Sequence, residues 1–248
     1  MYSLLISLTA SVLTTIGVGW LFGRPSISFW AGFFPGLVVL VGVWIYLARR
    51  TGKRLEALMM RFQAELQPKG MAKPDKDRVE RGIAILKTGY ELKNWNFLVK
   101  SQLDGHIGMA YYVDRKFEEA EPHLEGAMGR HWIAKAMLAV LYFKRREYDK
   151  MKQTFEKALR WTKKEAFLWC LYAWCVWKND DRDGAIDILS RGLDVLENDE
   201  RLESNRAALQ RNKKMKMRGW NEMWYQFHLD KPPQPKMQVD RRAVYRGR

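Results

Sequence analysis

The sequence predicts an all-α protein in which two transmembrane helices are followed by a short α-solenoid. Two observations lead to this fold class. Two uncharged stretches near the N-terminus are each close to the length that crosses a bilayer. Further along the chain, a pattern of small and aromatic residues recurs about every 34 residues, which is typical of stacked pairs of helices.

The N-terminal region, residues 1–50, is expected to form a transmembrane helical hairpin. Its uncharged stretches cover residues 3–22 and 29–47, and a spanning helix needs roughly 20 apolar residues. Gly23, Arg24 and Pro25 between them suit a tight turn. A cleaved signal peptide is disfavoured, because residues 1–5 carry no basic side chain and no A-x-A cleavage site follows. A single span or a re-entrant segment is the remaining alternative.

Basic residues indicate the orientation of this hairpin. Arg49, Arg50, Lys53 and Arg54 crowd the exit of the second stretch, whereas the turn holds only Arg24. Cytoplasmic loops carry an excess of Lys and Arg, so the exit and the short N-terminus are both expected on the cytoplasmic side. We therefore expect an integral membrane protein of a bacterial inner membrane. The hairpin contacts lipid, and the repeat domain lies in the cytoplasm.

A G-x-x-x-G motif lies in the second stretch, at Gly32 and Gly36. Small residues at this spacing allow two membrane helices to approach closely. We favour packing between the two hairpin helices over contact with another membrane protein, because Pro35 is expected to kink the helix and to weaken a simple dimer motif.

Residues 51–80 are expected to form a membrane-exit helix and a linker. Leu55, Leu58, Met59 and Phe62 share one face of an amphipathic stretch that continues from the membrane. The sequence "QPKGMAKPDKDR" then ends this helix, because it combines two prolines, a glycine and mixed charge.

Residues 81–229 carry the internal repeats. The first repeat is marked by Gly108, Tyr111, Phe117, Ala120, Leu124 and Ala127. The matching positions are Ala139, Tyr142, Tyr148, Met151, Phe155 and Ala158 in the second repeat and Ala173, Val176, Arg182, Ala185, Leu189 and Gly192 in the third. This pattern resembles the tetratricopeptide repeat family, in which small residues let paired helices approach and large residues fill the gaps. The resemblance departs from the family at Arg182, which replaces an aromatic residue, and in the missing closing prolines.

Half-repeats flank this region on both sides. Residues 81–92 match residues 184–196, so they are expected to form a second helix whose partner is the membrane-exit helix. Downstream, an apolar face at i, i+3, i+4 and i+7 predicts an amphipathic helix that caps the solenoid. Its members are Trp220, Met223, Trp224 and Phe227. The alternative is a helix on the membrane surface, with lipid phosphates near Lys213, Lys214, Lys216 and Arg218. Residues 230–248 are expected to form a basic tail that contains prolines.

The resemblance implies a concave groove lined by the first helix of each repeat. Carried onto this chain, the groove positions are Met109, Tyr112 and Val113, then Val140, Phe143 and Lys144, then Trp174, Trp177 and Lys178. One column of this groove is aromatic in every repeat. Aromatic walls beside lysines suit a peptide with apolar anchors and acidic neighbours. The alternative is a groove filled by the protein's own C-terminal segment or exit helix.

No catalytic constellation is visible, so we expect a protein that is not an enzyme and that needs no cofactor or metal. The four histidines lack metal-ligand spacing. Cys170 and Cys175 point to different faces of a helix and are not expected to pair. Asp180, Asp181 and Asp183 read as a polar turn that caps the next helix.

The expected function is that of a membrane-anchored scaffold or adaptor that recruits a protein or peptide partner through the groove. The net charge of +15 supports a second hypothesis, a binder of anionic ligands such as lipid head groups. Nucleic acid is disfavoured, because the basic residues are dispersed and no binding motif is visible. A third hypothesis is a non-catalytic accessory subunit of a membrane enzyme or secretion machine. The sequence leaves the oligomeric state open.

Overall fold

The computed structural model describes residues 2–22, 25–67, 77–95 and 97–231 of the chain. All regular elements within these ranges are helical, which confirms the all-α prediction. Residues 1, 23–24, 68–76, 96 and 232–248 lie outside the described residues, as do the side chains of residues 19, 21–22, 25–32 and 97.

The first two helices, α1 (Tyr2–Phe22) and α2 (Pro25–Leu66), pack against each other as an antiparallel pair. The two helices approach each other closely at Gly36. A Cβ atom there would collide with Thr15 Oγ1 and would lie 3.2 Å from the Ser11 carbonyl oxygen. Gly36 thus lies where the two helices meet, as the interpretation of tight packing requires. The surroundings of Gly32 lie outside the described residues.

One stretch among the described residues, Phe33–Leu66 in α2, is long and apolar enough to cross a membrane. The described apolar part of α1, Tyr2–Val18, falls short of the roughly 20 residues that a span needs. The predicted pair of spans is therefore corrected to one candidate span. Apolar side chains of α1 and α2, such as Leu13, Ile16 and Val38, are exposed.

Helix α2 continues without a break from the apolar stretch into the amphipathic exit helix, as predicted. Its last turns pack on α3 (Arg78–Thr88) and on a 3₁₀ turn at Gly89–Asn94. A Cβ atom at Gly82 would lie 3.0 Å from the Phe62 ring, and one at Gly89 would lie 3.1 Å from Leu58. The end of α2 therefore serves as the first member of a helix pair with α3.

Seven helices follow: α4 (Phe97–Val113), α5 (Phe117–Gly126), α6 (Trp132–Lys144), α7 (Tyr148–Trp161), α8 (Ala166–Lys178), α9 (Arg182–Val195) and α10 (Glu200–Gln210). They pack as successive pairs, and α4, α6, α8 and α10 also contact one another in sequence. A Cβ atom at Gly108 would lie 2.8 Å from the Leu124 amide nitrogen, so glycine permits the close approach of α4 and α5. Asp181 accepts a hydrogen bond from the Gly184 amide at 2.9 Å and caps α9, as the acidic turn predicts.

The same cap closes α4, α6, α8 and α10. Each helix is followed by a residue in the left-handed region: Arg115 (φ 63°), Arg146 (φ 64°), Asp180 (φ 58°) and Asn212 (φ 56°). The next amide donates to a carbonyl oxygen five residues back, as the amide of Lys116 does to Tyr111 at 2.9 Å. This is the Schellman motif. Its recurrence about every 32 residues is a backbone counterpart of the repeat seen in the sequence.

The predicted amphipathic helix over residues 218–229 is wrong. Only a 3₁₀ turn at Arg218–Trp220 and a four-residue helix, α11 (Glu222–Tyr225), form there. Asn221 interrupts the helix with φ 49° and ψ −127°. Trp224 and Phe227 are buried against Trp174 and Phe167, while Met223 is 37% exposed, so these three side chains do not form one buried helix face.

Candidate partner-binding groove

The face formed by α4, α6 and α8 holds the protein's own C-terminal segment, defined here as residues 213–231. Trp224 lies edge-on against Trp174, with ring centroids 5.0 Å apart. Phe227 packs on Phe167 at the start of α8, at 5.5 Å. The middle of this face is therefore filled by the protein's own C-terminal segment, as in the alternative of a self-filled groove.

Phe227 of the C-terminal segment is bound through both its side chain and its backbone carbonyl. Its side chain is fully buried. Its carbonyl oxygen accepts hydrogen bonds from the Tyr112 hydroxyl at 2.9 Å and from Lys144 Nζ at 3.1 Å. Side chains from two first helices thus bind one backbone carbonyl, which is a contact available to any peptide that follows the same path.

The environment of Lys144 is unusual for a lysine. Its Nζ lies 4.6 Å from the centre of the Phe117 ring and 5.1 Å from that of Tyr112. Desolvation of the ammonium group, reinforced by the nearby Arg115, lowers the pKa of Lys144 to about 8. Burial also raises the pKa of Tyr112 well above its usual value, so Tyr112 remains a hydrogen-bond donor.

Trp224 anchors the middle of the C-terminal segment. It is 2% exposed and packs on Trp174, which in turn lies edge-on to Phe143 at 5.8 Å. The Trp224 indole Nε1 has no hydrogen-bond partner among the described residues. Leaving a buried donor unpaired costs about 1–3 kcal/mol, so burial of the large ring must outweigh that cost.

The nine predicted groove residues fall into three parts. Tyr112, Lys144 and Trp174 contact the C-terminal segment, Phe143 packs on Trp174, and Val140 is buried in the core. Met109 and Val113 line an open apolar pocket of about 200 Å³, which is bordered by α2, α3, α4 and α6 and by Gln226 of the C-terminal segment. Trp177 and Lys178 line a larger cleft at the other end of the groove. The segment therefore covers the centre and leaves both ends accessible.

The cleft lined by Trp177 and Lys178, which we call the tryptophan cleft, has a volume of about 790 Å³. One wall is formed by Trp174, Trp177 and Lys178, and the C-terminal segment supplies the other. Lys178 Nζ lies 4.7 Å from the centre of the Trp177 ring. The cleft therefore combines two aromatic faces with a basic rim.

A second cleft of about 860 Å³ lies beside the first, and we call it the Lys144 cleft. It is bounded by Arg115, Phe117 and Lys144 on the repeats and by the end of the C-terminal segment. Arg218 and Asp230 line both clefts and form an ion pair, with Nε and Oδ2 3.1 Å apart.

The lining that residues 214–218 of the C-terminal segment supply to the tryptophan cleft was not predicted from the sequence. A usable signal was the strict alternation of basic and apolar residues from Lys214 to Arg218. Met215 and Met217 between them are 8% and 3% exposed. Alternation with period two is typical of an extended chain with one buried side, and it does not fit a helix.

A buried polar cluster between the 3₁₀ turn, α4 and α5 was also missed. Asp104, which is 4% exposed, accepts a hydrogen bond from the Tyr90 hydroxyl, and His123 Nδ1 lies 3.2 Å from the same carboxylate. Burial, together with the hydrogen bond to Asp104, raises the pKa of Tyr90. Because the three residues come from three separate elements, no local sequence pattern predicts that they come together.

Nothing in the described ranges assembles a metal site, since no group of three or more His, Cys, Asp or Glu side chains comes together there. Cys170 and Cys175 are buried as free thiols. Burial raises the pKa of the Cys170 thiol to about 12, which disfavours the reactive thiolate.

Comparison of the chain with protein-family models, with curated proteins and with solved structures finds no match. The resemblance to tetratricopeptide repeats therefore rests on the residue pattern.

Proposed function

We propose that this protein is a membrane-anchored adaptor that binds a protein partner on the concave face of its repeat domain and turns over no substrate. The observation that carries the proposal is how this face holds an irregular peptide segment. Aromatic side chains bind Trp224 and Phe227, and Tyr112 and Lys144 bind a backbone carbonyl. Helical grooves recognise peptides through such anchors.

The repeat domain is a short solenoid similar to tetratricopeptide repeats. Support comes from the shared Schellman caps at Arg115, Arg146, Asp180 and Asn212, which make α4, α6, α8 and α10 equivalent first helices. In such a stack the first helices line one continuous concave surface. The partner binds the accessible ends of that surface, beside the C-terminal segment.

The anchor is α2, and α1 lies alongside it with Gly36 at the contact. Arg49, Arg50, Lys53 and Arg54 follow the apolar stretch, which favours a cytoplasmic repeat domain. Labelling of Lys164→Cys with a membrane-impermeant maleimide tests this, because both native cysteines are buried. Labelling only after the cell membrane is opened agrees with a cytoplasmic domain, and labelling of intact cells contradicts it.

Partner binding is tested by purifying the full-length protein from native membranes in mild detergent. Trp177→Ala is expected to lose the partner that wild type retains. The matched control is Trp161→Ala, which removes a 63% exposed tryptophan outside the groove. Equal recovery of the same proteins with wild type and both variants would refute binding at Trp177.

A second candidate function is the binding of an anionic ligand, a lipid head group or nucleic acid. It is favoured by the basic residues on the rims of both clefts. Binding that disappears in moderate salt and survives Trp177→Ala would support this candidate. An accessory subunit of a membrane enzyme or secretion machine is a special case of the adaptor, in which the partner is the enzyme or machine.

A further inference from the structure

We propose that the tryptophan cleft and the Lys144 cleft together bind an acidic segment of the partner protein. This inference rests on the proposed adaptor function and assigns the chemistry of its partner. The two clefts carry an excess of positive charge.

Basic side chains dominate both rims. Lys178, Lys214, Lys216 and Arg218 line the tryptophan cleft. Arg115, Lys144 and Lys231 join Arg218 in the Lys144 cleft. Among the described residues, Asp230 is the sole acidic side chain that lines either of these two clefts.

The C-terminal ends of three helices offset part of this positive charge. Helices α4, α6 and α8 all end at this edge, and a helix C-terminus carries about half a negative charge. Three such ends offset less than two of the seven cations. Among the described residues, Lys178, Lys214 and Lys216 form no ion pair. A surplus of positive charge therefore faces the open clefts.

Asp230 indicates how a carboxylate is accommodated here. Its Oδ2 pairs with Arg218 Nε at 3.1 Å, and its Oδ1 accepts from the Lys231 amide at 3.2 Å. It lies on the boundary between the two clefts. A partner carboxylate in the tryptophan cleft would meet the unpaired lysines there, and Trp174 and Trp177 offer faces for apolar side chains in the same cleft.

The remaining chain does not have the charge to fill this site. Residues 232–248 contain Lys236, Arg241, Arg242, Arg246 and Arg248 but only one acidic residue, Asp240. A basic tail is repelled by a basic cleft.

The protein's own membrane is also poorly placed to supply the anions. Val113, at the end of α4, shares a pocket with Leu66, at the end of α2. Leu66 is about 24 Å beyond Arg50 along the helix, at about 1.5 Å per residue. The clefts lie at this end of the first helices, which is the end remote from the membrane exit. An acidic protein segment therefore fits the site better than lipid head groups do.

The test uses the full-length protein in nanodiscs of neutral lipid and a fluorescent synthetic peptide of glutamates interrupted by phenylalanines. Binding is followed by fluorescence polarisation, with the glutamine version of the peptide as the chemical control. Lys178→Glu/Lys214→Glu/Lys216→Glu is expected to weaken binding about tenfold or more, since each exposed pair contributes up to about a factor of five.

The matched control is Lys157→Glu/Lys163→Glu/Lys164→Glu, which makes the same change of net charge at exposed lysines outside both clefts. It is expected to weaken binding less than about threefold, through long-range repulsion alone. Asp230→Asn is expected to strengthen binding about two- to fivefold, because it frees Arg218 and removes the competing carboxylate. A gain of affinity is not explained by misfolding.

Several results would overturn the proposal. Equal weakening in both triple variants would show an effect of net charge only. Equal binding of the glutamine peptide would remove the acidic requirement. Tighter binding of anionic vesicles or of a single-stranded oligonucleotide would assign the clefts to lipid or nucleic acid. If co-purified proteins depend on Trp177 while the acidic peptide does not bind, the adaptor function stands and the acidic partner is refuted. If the acidic peptide binds while no co-purified protein depends on Trp177, the adaptor function is refuted.

Discussion

Phe227→Ala is expected to release the C-terminal segment while the repeats stay folded. The Phe227 side chain is fully buried against Phe167. Truncating a buried phenylalanine to alanine costs about 3–5 kcal/mol. Because the segment is the last described part of the chain, it can open without separating the helix pairs from one another. The loss should therefore appear first as local opening.

The structure sets the size of this effect. A loss of about 3–5 kcal/mol raises the open population by about a hundredfold to several thousandfold. Trypsin reports that population, because Lys213, Lys214, Lys216 and Arg218 provide cleavage sites within the segment. Mass spectrometry of the full-length protein in mild detergent gives the cleavage rate at each of these sites.

The control for Phe227→Ala lies in the same segment. Met223 is 37% exposed, so Met223→Ala is expected to leave the cleavage rate within about threefold of wild type. The reasoning is refuted if Phe227→Ala leaves cleavage at Lys213–Arg218 unchanged. It is also refuted if sites throughout α4–α9 become equally sensitive, because the segment would then be inseparable from the repeats.

Three further predictions concern the repeats. Gly108→Ala should destabilise the domain by about 1–3 kcal/mol in thermal unfolding, because the new methyl group meets the Leu124 backbone; Gly52→Ala, with open space around it, should not destabilise it. Arg146→Gly should stabilise the domain by up to about 1 kcal/mol by relieving a positive φ, and a lower Tm would contradict this. The lowered pKa of Lys144 makes its neutral form favourable in the fold, so stability should rise as pH increases from about 8 towards the usual lysine value; Lys144→Gln should abolish this increment in unfolding measured against pH.

Local periodicity was sufficient to predict most of the helices. The continuous α2 follows from an apolar stretch that passes directly into an amphipathic one, with no proline between residues 36 and 67. The pairing of its end with α3 follows from the match between residues 81–92 and 184–196. These features depend on residues close in sequence, where helical spacing is a strong signal.

The C-terminal segment shows where such reasoning fails. Trp220, Trp224 and Phe227 have helical spacing, but no single helix joins them: Trp224 packs on Trp174, whereas Trp220 and Phe227 both pack on Phe167. Tertiary contacts and the left-handed Asn221 override the local pattern. The groove residues came from a family resemblance, which left open whether a partner or the protein's own C-terminal segment covers them. The grouping of Tyr90, Asp104 and His123 depends on contacts between distant elements and leaves no local trace.

The C-terminal segment covers the centre of the groove. It also supplies Lys214, Lys216 and Arg218 to the basic clefts that are proposed to bind an acidic partner. Docking of the segment and binding of an acidic partner are therefore thermodynamically linked, and the coupling acts equally in both directions. The glutamate peptide should slow tryptic cleavage at Lys213–Arg218 in wild type. Phe227→Ala should weaken binding of that peptide although it alters no charged residue. If the peptide binds Phe227→Ala as tightly as wild type, the basic residues of the segment do not form the site. If the peptide binds but fails to protect the segment, it binds a part of the surface that the segment does not complete.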